Sequence, residues 1–136
     1  MLLRSERYKF FSRILLAIFF VVAGIAHFTS TDSYMQIMPP FLPRPRELVW
    51  ISGVCEIIGG IGLLVPSVRR LAAYGLIALL VAVFPANIYM AVDNIGINGT
   101  HFSQWLLWLR LPLQFALVLW VWWCAKDSSR AVRRLP

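Results

Sequence analysis

The chain has 136 residues, 60% of them hydrophobic and only 14% charged, with a formal net charge of +7. A soluble domain of this size keeps more charge at its surface, so the composition marks an integral membrane protein forming a single domain over residues 1–136. The basicity does not point to nucleic acid: it gathers at Arg4, Arg7, Lys9 and Arg13, at Arg69 and Arg70, and at Lys126, Arg130, Arg133 and Arg134, where apolar segments end.

The first apolar segment covers residues 10–28 and follows a basic flank. It has the look of a signal peptide, with Ala23-Gly24-Ile25-Ala26 as a weak small-residue cleavage site. Everything downstream is equally apolar, so a retained first helix is the expectation. Near its end Ala23, Gly24 and His27 share one face.

Residues 29–47 form the first connection. Pro39, Pro40, Pro43 and Pro45 stiffen it, while Met35, Ile37, Met38, Phe41 and Leu42 make it greasy. Proline fixes φ and removes a backbone donor, so a regular helix throughout is excluded. Stiff apolar loops lie down on something, and Phe41 and Leu42 are expected to act as a lid over the mouth of the bundle.

The second helix is expected over residues 48–65 and carries Ser52-Gly53-Val54-Cys55-Glu56-Ile57-Ile58-Gly59-Gly60. At 100° per residue Ser52, Gly53, Glu56, Gly59 and Gly60 fall on one side, with Val54, Ile57, Ile58 and Ile61 on the other. The small, polar side should pack on neighbouring helices and the β-branched side should meet lipid. Glu56 then points into the bundle, where a carboxylate must find a partner or hold its proton.

A third helix is expected over residues 71–90, with Pro85 inside it and Asn87 two residues later. The proline removes one ladder hydrogen bond and should bend the helix. The turn at 93–101 lacks Lys and Arg. Its Asn98-Gly99-Thr100 matches a glycosylation acceptor in form but reads more simply as a tight turn. The fourth helix, residues 102–124, sets Ser103, Leu107, Arg110 and Gln114 on one stripe. Trp120, Trp122 and Trp123 mark one interfacial belt, and Trp50, Trp105 and Trp108 the other.

These elements imply an all-α, four-helix membrane bundle with both termini on the cytoplasmic side and the proline-rich apolar loop outside. Cys55 and Cys124 are too few for a disulfide or metal framework and are expected to be packing residues.

Depth along each helix brings the polar residues together. Glu56 lies roughly 12–14 Å below the outer end of its helix and Arg110 roughly 10–12 Å below the outer end of its own. His27, Asn87 and Gln114 fall in the same outer half. A direct or water-bridged Glu56–Arg110 pair is expected, with Asn87 and Gln114 completing its hydrogen bonds and His27 near the mouth. Such a pair can serve merely as glue between helices. The convergence of five polar groups in one compartment favours a binding site.

With these residues in place, the chain resembles the DoxX-like family of small four-helix membrane proteins. The resemblance is carried by Ala23-Gly24-Ile25-Ala26-His27-Phe28, Pro39 through Pro43, and Ser52 through Leu64 with Glu56 at its centre. Val83-Phe84-Pro85-Ala86-Asn87-Ile88-Tyr89-Met90 and Leu109-Arg110-Leu111-Pro112-Leu113-Gln114 complete it. The family implies a multi-pass protein of a bacterial or archaeal cytoplasmic membrane, with links to quinone-dependent oxidoreductases, redox stress and membrane-protein assembly. Thiol exchange is not implied here, because paired cysteines are missing.

Three functions follow as expectations. The first is a redox-linked accessory subunit that binds a quinone or another small hydrophobic molecule through His27, Glu56 and Arg110. It would have no covalent cofactor or metal, and would depend on a partner protein for electron transfer. The second is a non-enzymatic scaffold or assembly factor that recognises another membrane protein. The third is a small-solute carrier, disfavoured by the lack of a second polar cluster unless the protein forms a homo-oligomer.

Overall fold

Apolar runs out of water must satisfy their own backbone groups, and helices do so within one segment. The computed structural model describes residues 2–96, 99–101 and 103–126, and those residues form five helices and no strand. They are α1 (Leu2–Thr29), α2 (Thr31–Gln36), α3 (Pro45–Gly62), α4 (Arg69–Val92) and α5 (Gln104–Ala125). Three segments, Leu3–Thr29, Arg69–Val92 and Gln104–Ala125, are long and apolar enough to cross a membrane, the mark of a membrane protein. Helix α3 has 18 residues and includes Arg46, Glu47 and Glu56.

Helix boundaries depart from the sequence expectation in instructive ways. Helix α1 begins eight residues before Phe10, because the basic flank is helical too. Lys9 and Arg13, one turn apart, are buried in it. Lys9 Nζ donates to the carbonyl of Lys126 at 2.8 Å, and Arg13 Nε to that of Cys124 at 2.9 Å. Both carbonyls belong to the C-terminal end of α5, where backbone acceptors lack intrahelical donors and the helix dipole favours positive charge. Arg69 does the same for α3, donating from Nε to the carbonyl of Leu63 at 3.0 Å. These cations therefore serve as helix caps as well as surface charge. Arg130, Arg133 and Arg134 lie outside the described residues.

The connection after α1 is partly helical. Helix α2 follows Ser30 at once, and the chain then turns through the prolines to Arg44, which adopts a left-handed backbone (φ 51°) before Pro45 opens α3. Helix α4 runs through Pro85 and α5 through Pro112 without ending.

Packing centres on the glycines of α3. A Cβ on Gly53 would lie 2.8 Å from the carbonyl oxygen of Gly24 in α1, and one on Gly24 would lie 2.6 Å from that of Gly53. The two backbones thus touch, as small residues at a membrane-helix crossing allow. Gly60 packs on Phe20 of α1, whereas Gly59 faces Leu76 and Gly62 faces Ala72, both in α4. The small side expected of this helix is therefore shared between two neighbours. Ile57 departs from its expected lipid side and packs against Gly24. Ile51, Val54, Ile58 and Ile61 do face outward.

The main core lies at the end where α1 begins and α5 finishes. It joins Leu16 and Phe20 of α1, Leu63 after α3, Ala73, Leu76 and Leu80 of α4, and Val121, Cys124 and Ala125 of α5. Cys124 is packed there as expected, but Cys55 is exposed on the bundle surface. Its expected role as a packing residue fails because α3 turns that side away from its neighbours. The exposed tryptophans stand in two groups, with Trp120, Trp122 and Trp123 at the terminal end and Trp50, Trp105 and Trp108 at the other. Lys126 lies over the Trp122 ring, 3.3 Å from its centroid.

Gly53→Leu should separate α1 from α3 and destabilise the detergent-solubilised protein by about 1–3 kcal/mol or more. Gly75, in the interior of α4, has open space where a Cβ would stand, so Gly75→Ala should be neutral or stabilising by about 0.5–1 kcal/mol. Thermal unfolding of the two variants beside the parent chain measures both; equal destabilisation would refute the close crossing.

Candidate functional site

At the α2 end the long helices enclose a cavity of about 760 Å³. His27, Glu56, Asn87, Arg110 and Gln114 all line it, one or two from each long helix. Phe41 and Leu42 also line it, beside Ile37 and Met38. Most of the remaining wall is aliphatic or aromatic, including Phe19, Phe20, Leu48, Leu79, Leu80, Val83, Leu113 and Leu117. An apolar chamber with a few convergent polar groups is the common form of a small-molecule site.

The polar residues form two groups. In the first, Glu56 Oε2 lies 3.2 Å from His27 Nδ1. That nitrogen donates its proton to the carbonyl of Ala23 at 2.8 Å, so the carboxylate meets the ring without a hydrogen bond. With the proton on Nδ1, a neutral imidazole keeps Nε2 as an acceptor. Tyr34 of α2 stacks on the same ring, with centroids 4.0 Å apart and planes 21° from parallel. Thr31, four residues after His27, donates to the His27 carbonyl at 2.8 Å and accepts from Trp50 Nε1 of α3 at 3.2 Å. Helix α2 is thereby fastened to both α1 and α3 above the carboxylate.

The second group joins α4 to α5. Asn87 Nδ2 donates to Gln114 Oε1 at 2.6 Å, and Gln114 Nε2 donates to the carbonyl of Leu80. Gln114 is buried, so both ends of its amide are answered by α4. Asn87 therefore links two helices, whatever it also does for the backbone broken at Pro85. Arg110, one turn from Gln114, points NH1 at the sulfur of Met90, 3.1 Å away, and much of its side chain is exposed.

The direct form of the expected Glu56–Arg110 pair is absent, since the two side chains form no ion pair within 4 Å. Both residues line the cavity, but the ionisable side chain within 4 Å of Glu56 is His27. Similar depth fixes only position along the axis; rotation of α5 leaves the guanidinium at the rim. Tyr34 feels both charges. Burial pushes its phenol above the usual range, the Glu56 charge adds to this, and the Arg110 charge opposes it. Its hydroxyl accordingly stays protonated and able to donate at neutral pH.

Tyr34 was not among the residues singled out from the sequence. Its signal was the seven-residue spacing from His27, two helical turns, combined with the Ser30-Thr31-Asp32-Ser33 run that favours a helix start. Ser52, one turn before Glu56, is a further polar group in the wall.

The lid residues divide. Leu42 is half-buried, and Ile37 packs into a small core with Met90, Ala91 and Leu107. Phe41 lines the chamber but is 78% exposed, so it stands at the edge more than across the mouth. Among the described residues no three His, Cys, Asp or Glu side chains gather as a metal-ligand set.

Residues 16–125 match a family described as Domain of unknown function (DUF8561). The chain belongs to this family. The matched region holds the whole cavity and every polar residue in its wall. No curated protein and no solved structure matches the chain.

The His27–Glu56 contact has a measurable consequence. A double-mutant cycle with His27→Ala and Glu56→Gln should give a coupling of about 0.5–3 kcal/mol in detergent unfolding, the range for residues in contact. A cycle pairing Glu56→Gln with Arg110→Leu should give a smaller coupling. The reverse order would restore the Glu56–Arg110 pair as the dominant one.

Proposed function

We propose that this is a four-span protein of a bacterial or archaeal cytoplasmic membrane that binds a quinone or a similar small hydrophobic molecule. It acts as an accessory subunit to a redox partner, as its resemblance to the DoxX-like family implies. The observation that carries the reading is the chamber, apolar in bulk, into which each long helix sends at least one hydrogen-bonding side chain. A quinone needs such a place: flat apolar space for its ring, and donors for its oxygens. Arg110, Tyr34 and Ser52 supply donors; Glu56 and the free nitrogen of His27 accept from the hydroxylic form.

In this reading α3 is the fourth span. Its three charges do not oppose that, since Arg46 lies in the first turn beside Asp32, 3.1 Å away, and Glu47 is at the same end. Glu56 alone would sit at depth, where an ionisable residue is a functional mark. Both termini lie on the cytoplasmic side, with Arg4, Arg7 and Arg70 facing anionic headgroups there. The chamber then lies in the outer half of the bilayer under the α2 connection.

The scaffold reading rested on small-residue helix faces available to a partner. Gly24, Gly53, Gly59, Gly60 and Gly62 are all occupied by contacts within the chain, which favours the ligand reading.

Two experiments test the proposal. In a background without Cys55 and Cys124, Ser67→Cys and Thr100→Cys should label from opposite sides of the membrane; labelling from the same side ends the topology. Native mass spectrometry of the gently solubilised protein should show a bound small hydrophobic molecule. Glu56→Gln combined with Arg110→Leu should reduce its occupancy about tenfold or more. A protein that is folded, empty and bound to a second membrane protein would favour the scaffold.

A further inference from the structure

We infer that the chamber opens sideways between α1 and α5, and that its ligand is a tailed lipid-phase molecule whose head sits inside while its tail leaves through this window into the bilayer. The inference rests on the ligand-binding reading and adds the route and the class of molecule.

The route follows from where the wall is closed. Over the end of the chamber lie Ile37, Met38 and Leu42, and α2 is fastened there by the Thr31 hydrogen bonds. None of the four residues that α3 contributes to the wall is exposed. Helices α3 and α4 are held together below the chamber at Gly59–Leu76 and Gly62–Ala72. Helices α1 and α5 likewise meet at the terminal end, through Lys9 and Arg13 on α5 carbonyls and through Leu16 and Phe20 in one core with Val121 and Cys124. Farther along, each of the two has a wall residue open to the outside. Phe19 of α1 is 51% exposed and Leu113 of α5 is 56% exposed, yet both line the chamber. Side chains that border a cavity and the exterior together mark an opening, and at this level of a membrane protein the exterior is lipid.

The chemistry of the window names the class. Its posts are apolar, so a hydrocarbon chain passes without losing hydration it never had. Arg110, also on α5, lines the chamber beside Met90 of α4 and is an exposed residue, with no carboxylate within 4 Å among the described residues. It is placed to hold an acceptor oxygen on the head as the molecule passes inward toward Glu56 and His27. A small water-soluble solute would gain nothing from an apolar side opening.

The test uses the full chain in lipid nanodiscs and a benzoquinone with a long alkyl tail ending in a diazirine. After illumination, peptide mapping should find adducts at Phe19, Leu113 and their lipid-facing neighbours on α1 and α5. An excess of the same quinone without the photolabel should suppress them. Adducts that compete equally well but fall at Phe41, Ala82 and Pro85 would overturn the window while leaving the binding site standing. Adducts that do not compete, scattered over all outward faces, would overturn the site and the window together. A second measurement keeps the two apart if labelling is sparse. Leu113→Trp should weaken the tailed quinone about tenfold more than it weakens a tail-less benzoquinone. Equal affinity of the variant and parent for the tailed form would refute the route.

Discussion

The contact between the backbones of α1 and α3 at Gly24 and Gly53 is the constraint on which the site depends. The helices run antiparallel, and His27 and Glu56 each lie three residues beyond their glycine, hence displaced in opposite directions along the bundle. A helical side chain leans toward the N-terminus of its own helix. In antiparallel neighbours that lean brings the two side chains back toward each other. With the backbones in contact, the imidazole and carboxylate meet at 3.2 Å. A Cβ on either glycine would push the helices apart and open that meeting before any polar residue was changed. The polar group is thus set by two residues that carry no side chain.

The same economy governs the other end. Helix ends buried in a bundle leave carbonyls without donors, and in lipid no water reaches them. Lys9, Arg13 and Arg69 supply that need from the helix next in space, so three of the basic residues at the segment ends also satisfy the backbone there. This explains how α1 extends eight residues beyond its apolar run and still packs.

Much of this was legible in the residues. Helical periodicity and depth were enough to send His27, Glu56, Asn87, Arg110 and Gln114 to one chamber, because the helices are long and a residue's depth can be counted from the end of its own helix. Periodicity could not choose partners inside the chamber. Depth says how far along an axis a residue stands, not how α5 is rotated about it, and that rotation left Arg110 at the rim and His27 beside Glu56. Tyr34 escaped because the prolines of its connection were allowed to speak for all of it, when they begin only after α2 has ended. Lys9 and Arg13 were counted as surface charge because their acceptors are backbone atoms, which a sequence pattern does not display. Cys55 shows the limit of composition: a small apolar side chain in mid-helix can face outward as well as inward.

The clamp on α5 spans almost the whole chain: Lys9 reaches Lys126 and Arg13 reaches Cys124, over 117 and 111 positions. During synthesis the first turns of α1 are made before the rest of the bundle, and the carbonyls that receive them follow α2, α3 and α4. Contacts of such separation form late, after the loops between them have closed. Helices α1 and α3 can meet through their glycines as soon as both exist, whereas the seam between α1 and α5 is joined only once α5 has been made. The order of birth thus leaves the side of the bundle that borders the chamber as the last to be sewn, and sewn from one end alone.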